Sequence, residues 1–282
     1  MLNKPIRYNI CLIKPDQYIH SLAFIELGEL LLYSLQDLGF QSQLQFNQLT
    51  PDAQNIIIGC HLLNTNYIKE IPKSSIILNT EQIYADSTDW NSAIIEWVKH
   101  FETWDYSERN ILKFKELGLK HAKHLKIGFQ KELARIPVST EQDIDVLFYG
   151  SMNERRLKVI NELRAKSLKV QTIFGVYGPE RDGLIARSKV VLNHHFYQSQ
   201  IFEIIRVFYL LSNSIPVVSE VNKTSSIDPM YLDGINAAPY EALASACIQL
   251  IQDNALREQL KYKALTTISQ YPQTNFTAEL LK

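Results

Sequence analysis

The chain has 282 residues, 46% of them hydrophobic and 21% charged, and carries 29 Lys+Arg against 30 Asp+Glu. That length can bury one large core or two ordinary ones, at roughly 100–200 residues per domain. A net charge of −1 excludes the overall basic field of a nucleic-acid binder and the acidic tail of a solvating disordered segment.

The first half opens on a strand at Tyr8–Ile13. Apolar residues at helical spacing then predict a helix over Leu22–Leu38, with Gly39 as its stop. Gln41–Phe46 alternates polar and apolar, the period of a half-buried strand. The β-branched runs Asn55–Cys60 (NIIIGC) and Ser75–Asn79 (SIILN) suit strands buried on both faces of a parallel sheet. A helix over Trp90–Lys99, a short strand at Trp104–Ser107, a helix over Glu108–Leu117 stopping at Gly118, and a strand at His124–Phe129 complete this half. The loop Lys131–Gln142, with Pro137 and the polar run STEQD, places a domain boundary near residue 130.

The second half repeats the plan. Strands are expected at Asp145–Tyr149, Val170–Phe174, Lys189–Asn193, Pro216–Glu220 and Asn236–Ala238. Helices are expected at Glu154–Ala165, Glu180–Ser188, Ile201–Ser212, Tyr240–Gln252 and Asn254–Ser269. Such alternation predicts parallel sheets with right-handed crossovers, and two such halves predict two doubly wound α/β domains, 1–130 and 131–282, with the last helix free to pack back on the first. No tandem repeat or low-complexity segment interrupts them.

Cys11, Cys60 and Cys247 are far apart in or beside apolar stretches and read as free, buried thiols of a reducing compartment. No Cys/His cluster offers a zinc site. The N-terminal run MLNKPIRYNICLIKPDQ is broken by Tyr8, Asn9 and Lys14 and lacks a leader's apolar core. No run approaches the ~18 apolar residues of a membrane span. The expected location is therefore the cytoplasm, with peripheral membrane contact still compatible.

In parallel sheets ligands bind beyond the carboxyl ends of strands, so the strand-to-helix junctions are the places to seek chemistry. In Tyr149-Gly150-Ser151-Met152-Asn153-Glu154-Arg155-Arg156, Gly150 and Ser151 allow close backbone approach to a ligand before a helix N-terminus, and Arg156 or Arg155 is a candidate for a diphosphate. The alternative is a plain turn with solvated arginines. In Phe174-Gly175-Val176-Tyr177-Gly178, Gly175 and Tyr177 are candidates for holding a base, against a simple tight turn. The third junction runs from Asn193-His194-His195 to Glu203-Ile204-Ile205-Arg206. Glu203 and Arg206 lie on neighbouring positions of one very apolar helix, where buried charges need partners. They read either as an internal pair bracing the helix or as a carboxylate for ribose hydroxyls and a guanidinium for phosphate. His194 and His195 point to opposite faces of a strand and do not suit one metal ion. With no Asp-x-Asp motif either, no essential metal is expected.

The stretch Asp145–Glu220, from DVLFYGSMNERR to LNHHFYQSQIFEIIRVFYLLSNSIPVVSE, resembles the C-terminal donor domain of GT-B glycosyltransferases. It is similar to the glycosyltransferase-family-1-like proteins of bacteria, the CgeB-like group among them. The likeness extends over the tail from Ala242, and less distinctively over IILNTEQ and TWDYSERN of the first half. It implies two Rossmann-like domains facing across a cleft, a nucleotide-sugar donor on the second and an acceptor (glycan, lipid or protein) on the first. No cofactor beyond the nucleotide sugar is implied, and no nucleic-acid partner. Gly150, Ser151, Arg156, Gly175, Tyr177, His195, Glu203 and Arg206 become the donor-site candidates. The chain departs from the retaining pattern of two glutamates before a Pro-Val-Val strand: Tyr209 stands where the second would fall. Glu203 lies thirteen positions before Pro216, a spacing closer to the α-1,3-fucosyltransferases.

Glycosyl transfer must neutralise a departing nucleotide diphosphate, and Arg206, Arg156 and helix N-termini are the candidates. An inverting reaction also needs a base for the acceptor proton. Glu81, after an apolar strand, is the first candidate and His61, after IIIGC, the second; Asp105 and Glu108 follow. No strand leads into G-x-G-x-x-G, which argues against a dinucleotide-dependent dehydrogenase. A non-catalytic nucleotide- or glycan-binding module of the same shape is the alternative.

Overall fold

The computed structural model describes residues 6–83 and 89–282. The first five residues of the N-terminal run, read above for a leader, lie outside them. The chain divides into two compact units: Met1–Ile127 with Pro272–Lys282, and Gly128–Tyr271.

Unit 1 is built from β1 (Arg7–Leu12), α1 (Ile25–Asp37), β2 (Gln41–Phe46), β3 (Gln54–Ile58), β4 (Ile76–Asn79), α2 (Asp89–His100), β5 (Glu102–Asp105), α3 (Glu108–Glu116) and β6 (Ala122–His124). The strands form one parallel sheet in the order β2-β1-β3-β4-β5-β6. Ile56, Ile57 and Ile58 of β3 and Ile77 and Leu78 of β4 are fully buried, as central parallel strands covered on both faces must be. β2 is an edge strand and stays largely open to solvent. Leu27, Leu30, Leu31 and Leu35 bury one stripe of α1, each worth about 1.5–3 kcal/mol of transfer free energy. That helix closes at Gly39, whose φ of 85° lets Phe40 N–H return to Leu35 O at 3.0 Å.

Unit 2 holds β7 (Ile144–Tyr149), α4 (Glu154–Ala165), β8 (Val170–Ile173), α5 (Gly178–Ala186), β9 (Ser188–Asn193), α6 (Ile204–Ser212), β10 (Val217–Glu220), β11 (Asn236–Ala238), α7 (Leu243–Gln252) and α8 (Asn254–Ser269). Its parallel sheet runs β11-β10-β9-β7-β8. Val146 and Phe148 of β7, Val190 and Leu192 of β9 and Val218 of β10 pack one face against Val159, Ile160 and Leu163 of α4 and Leu243, Cys247 and Leu250 of α7. The last helix, α9 (Gln273–Leu280), belongs to unit 1. There Thr277 Oγ1 lies 2.9 Å from Ser34 Oγ of α1, and Gln273 Nε2 donates to Lys126 O at 3.2 Å.

Several element boundaries differ from the sequence expectation; the strand expected at Trp104–Ser107 is Glu102–Asp105, and the helix expected from Tyr240 opens with a 3-10 turn before Leu243. The helix expected over Leu22–Leu38 begins as a 3-10 turn at Ile19–Phe24, and Phe24 gives α1 no side-chain cap. The strand expected at His124–Phe129 is Ala122–His124 instead; its pairing ends after Leu125 N–H meets Asp105 O at 2.8 Å. The helix expected from Ile201 begins at Ile204, because Phe202 N–H donates to Ser226 O at 3.0 Å and Ser226 N–H to Gln200 O at 2.9 Å. That long-range pairing holds the segment extended. Cys11, Cys60 and Cys247 are free and buried, and among the described residues no helix is long and apolar enough to cross a membrane.

Both sheets reverse their strand order beside their first strand. In unit 2, β8 lies on one side of β7 and β9 on the other; in unit 1, β2 and β3 flank β1 in the same way. Such reversal points leave a crevice at the carboxyl ends of the strands, because the two following loops run in opposite directions.

Candidate functional site

The reversal point of unit 2 is flanked by Gly150, after β7, and Asn193, the last residue of β9. Gly150 has φ of 134°, and a Cβ there would lie 2.7 Å from Arg206 Nη2 and 3.6 Å from Arg156 Nη1. Two guanidiniums therefore converge over this glycine. Arg206, half-buried on the first turn of α6, has its guanidinium carbon 5.0 Å from the Tyr149 ring centre. Its Nη1 donates to Asn193 Oδ1 at 3.1 Å. Among the described residues its Nη2 meets no hydrogen-bond partner.

Asn193 organises the centre. It is fully buried, and its Nδ2 donates to Glu203 Oε2 at 3.1 Å and to Ser219 Oγ at 2.9 Å. Glu203 and Arg206 thus do not brace each other directly; the Asn193 amide stands between them. Glu203 is the N-cap residue of α6, yet its side chain caps no backbone N–H. Its carboxylate lies 3.3 Å from His195 Nδ1 and 3.7 Å from Arg156 Nη2. Burial works against its charge, but the His195 hydrogen bond and the charges of His195, Arg206 and Arg156 prevail and hold its pKa down to about 2. His195 in turn has Nε2 3.0 Å from Ser225 Oγ.

Arg156 is buried, and each of its three guanidinium nitrogens donates to a backbone carbonyl. Nε and Nη2 donate to His194 O at 3.1 and 2.5 Å, and Nη1 to Ser151 O at 2.9 Å. The Phe148 and Phe196 rings each lie 5.2 Å from its guanidinium carbon. Burial and the neighbouring Arg206 lower its pKa to about 9, so it remains a cation at neutral pH. Asn153, the N-cap of α4, accepts Arg156 N–H at 2.9 Å and donates to Phe196 O at 3.1 Å, which ties the two loops together. His194 is buried against Phe148 with its rings edge to face. Burial and then Arg156 lower it to about 3, so it is neutral.

Arg155 and Glu220 form a second layer that sequence reasoning missed as a pair. Glu220, at the end of β10, is fully buried. It accepts Arg155 Nη1 at 2.7 Å, a short bond from Arg155 Nη2, Asn222 Nδ2 at 2.6 Å and His195 N–H at 3.0 Å. The Arg155 guanidinium lies 3.9 Å over the Tyr240 ring, whose hydroxyl donates to Arg155 O at 2.8 Å. The available signals were polar residues ending apolar strands, Asn193 in KVVLN and Glu220 in PVVSE. Three guanidiniums against the Glu203 and Glu220 carboxylates leave one positive charge here before any histidine is counted.

Of the sequence candidates, Gly150, Ser151, Arg156, His195, Glu203 and Arg206 gather in this cluster, with Ser151 contributing its carbonyl. Gly175 (φ 74°) and Tyr177, the N-cap residue of α5, follow β8 at the neighbouring strand end; Gly150 N–H donates to Ile173 O at 3.1 Å. Tyr209, standing where the retaining pattern has a second glutamate, is buried on α6 and donates to Asp182 Oδ2 at 2.7 Å.

In unit 1 the structure brings the other two candidates together: His61 Nε2 lies 3.6 Å from Glu81 Oε1. His61 follows β3 at the reversal point and Glu81 follows β4. Burial raises the Glu81 carboxyl to about 7 and lowers His61 to about 4, so His61 is neutral where Glu81 titrates. Asp105 ends β5, fully buried, and burial raises it to about 7 against three hydrogen-bonding neighbours. Among the described residues no group of His, Cys, Asp or Glu is arranged to hold a metal ion.

No protein-family model matches the chain. Three uncharacterised proteins of Acanthamoeba polyphaga mimivirus are similar by sequence. One is 28% identical over 211 residues, 72% of this chain and 67% of the relative; another is 30% identical over 125 residues, 43% of this chain. The matches span 14% and 23% of the length of the second and third. These relatives are viral, where the resemblance pointed to bacteria. Solved structures of similar fold include Anabaena HepE in complex with UDP and glucose (TM-score 0.63, 11% identity, 98% of each chain). Sucrose-phosphate synthase from Thermosynechococcus elongatus follows (TM-score 0.60, 10% identity, 97% of each chain). T4 phage BGT in complex with its UDP-glucose substrate has TM-score 0.56 and 9% identity, covering 97% of this chain and 96% of that one. The fold is that of GT-B glycosyltransferases, two Rossmann-like domains.

Proposed function

We propose that the chain is a glycosyltransferase that takes a sugar from a nucleotide-diphosphate donor bound to unit 2. The observation that carries this reading is the pair of guanidiniums, Arg206 and Arg156, meeting over Gly150 at the sheet's reversal point. A diphosphate gains charge as it leaves, and fixed cations outside bulk water stabilise that charge without reorganising. Arg206 is the group that reaches the phosphates. Arg156, whose three nitrogens each hold a backbone carbonyl, adds its charge and shapes the loop. Glu203, ionised down to about pH 2, accepts hydrogen bonds from donor hydroxyls. Gly175 and Tyr177 line the base side. Because the chain supplies the cations, the reading is metal-independent. The UDP and UDP-glucose complexes among proteins of the same fold support a nucleotide sugar as the donor.

Glu81 is the base that takes the proton of the acceptor hydroxyl. A carboxylate with a pKa of about 7 is poised for that transfer near neutral pH.

The test is thermal unfolding with UDP, GDP and CMP. A ligand at 100 times its Kd adds about 2.7 kcal/mol to stability. One nucleotide is expected to raise Tm, and Arg206→Ala or Glu203→Ala to abolish the rise. No response to any of the three overturns the donor reading. Binding without turnover of any nucleotide sugar would leave a binding module of this fold.

A further inference from the structure

The Glu81 loop is held by a device that the base assignment does not require of an ordinary turn. At residues 64–66 a single amide closes such a turn, with Asn64 Oδ1 accepting Asn66 N–H at 2.9 Å. At Glu81 two amides act together, and both are fastened to one buried carboxylate. Asn79 Nδ2 donates to Glu81 O at 2.9 Å and its Oδ1 accepts Glu81 N–H at 3.2 Å. Asn110 Nδ2 donates to the same Glu81 carbonyl at 2.8 Å, while its Oδ1 accepts Ile83 N–H at 2.9 Å. The two amide nitrogens then converge on Asp105: Asn79 Nδ2 reaches Oδ2 at 2.6 Å, and Asn110 Nδ2 reaches Oδ1 and Oδ2 at 3.1 and 3.0 Å. Ser107 N–H completes the shell at 2.7 Å from Oδ1.

A residue just past a strand has lost its ladder partners, so its backbone groups must find others. Here those partners come from β4 and α3, and Asp105 of β5 orients both amides. Turning either amide would set a nitrogen against a backbone N–H and an oxygen against the Asp105 carboxylate, so the carboxylate fixes which way each faces. Burying a carboxylate is costly, and closing a turn does not call for it. We propose that Asp105, acting through Asn79 and Asn110, is a positioning residue that holds Glu81 in its half-buried place beside His61. The proposal rests on the reading of Glu81 as the base.

The titration of Glu81 reports the clamp independently of turnover, because its raised value comes from burial. In carbon NMR of the full chain, the Glu81 carboxyl is identified by its loss in Glu81→Gln. Asp105→Asn replaces an acceptor oxygen with an amide that faces two amide donors. We expect its Glu81 midpoint to fall from about 7 toward 4.5, and kcat to fall on the order of 100-fold with KM little changed, the cost of a misplaced reacting group. Asn110→Ala, which leaves Asp105 and Asn79 in place, is expected to move both in the same direction by less, and carries the test if Asp105→Asn does not fold. A midpoint that stays near 7 in the folded variants overturns the positioning role. Full activity of Glu81→Gln instead removes the base reading and leaves the titration result standing.

Discussion

Gly150→Ala is the smallest change that tests the donor site. The added Cβ meets Arg206 Nη2 at 2.7 Å and enters a backbone of φ 134°. Backbone strain of this kind costs about 1–3 kcal/mol. The clash falls on the end of a flexible, half-buried side chain, so the guanidinium moves rather than the strand. Moving it breaks the charged hydrogen bond to Asn193 Oδ1, a class worth about 1.5–3 kcal/mol. If Arg206 gives the diphosphate a contact of the same class, UDP affinity falls by about 10–100-fold, at 1.4 kcal/mol per tenfold. Titration calorimetry on wild type, Gly150→Ala, Arg206→Ala and the double variant reads this out. Each single change is expected to weaken binding in that range. The double is expected to bind no worse than Arg206→Ala alone, since the new methyl then displaces nothing. Additive losses would refute the idea that Gly150 acts through Arg206, and wild-type affinity in Gly150→Ala would refute the need for a bare backbone under the guanidinium.

Glu203 has a folded pKa of about 2 against an ordinary 4.5, so its stabilising contribution is whole above 4.5 and drains as pH falls toward 2. The shift corresponds to about 3 kcal/mol, and urea unfolding at a series of pH values should show Glu203→Gln losing most of its disadvantage in acid. Glu81 is raised to about 7, so kcat/KM should climb about tenfold per pH unit below 7 and level off above it; in Glu81→Gln that limb should vanish. Glu220→Ala takes the buried acceptor from Arg155, Asn222 and the His195 N–H; Arg155 is partly exposed and can regain water, so stability should fall by about 1–3 kcal/mol in chemical denaturation. Asn193→Leu removes the amide between Glu203 and Arg206, and should abolish the thermal response to nucleotide more completely than it lowers Tm.

The alternation of apolar runs and helical stripes in the sequence was enough for the two parallel sheets, because a strand buried on both faces has few ways to be written other than NIIIGC, SIILN or DVLFY. Helix boundaries with side-chain caps were legible as well: Asn153 caps α4 and Asp253 caps α8, each through a local bond. The start of α6 was not legible, since residues 200–202 are held by Ser226, more than twenty positions away. The junctions at Gly150, His195, Glu203 and Arg206 could be picked out because polar residues following apolar strands stand out along the chain. Their division of labour could not. A line of residues shows that Arg155, Arg156 and Arg206 are cations. Only strand order determines that one pairs with Glu220, one holds backbone carbonyls, and one lies over a bare glycine with a nitrogen to spare. The same holds for Glu81: its place after an apolar strand marked it as a candidate base, but its raised pKa comes from burial. Sequence determined which residues are apolar, charged or able to turn. The fold decided which charges lose their water and which partner each then finds, because desolvation and hydrogen bonding depend on neighbours brought together across the sheet.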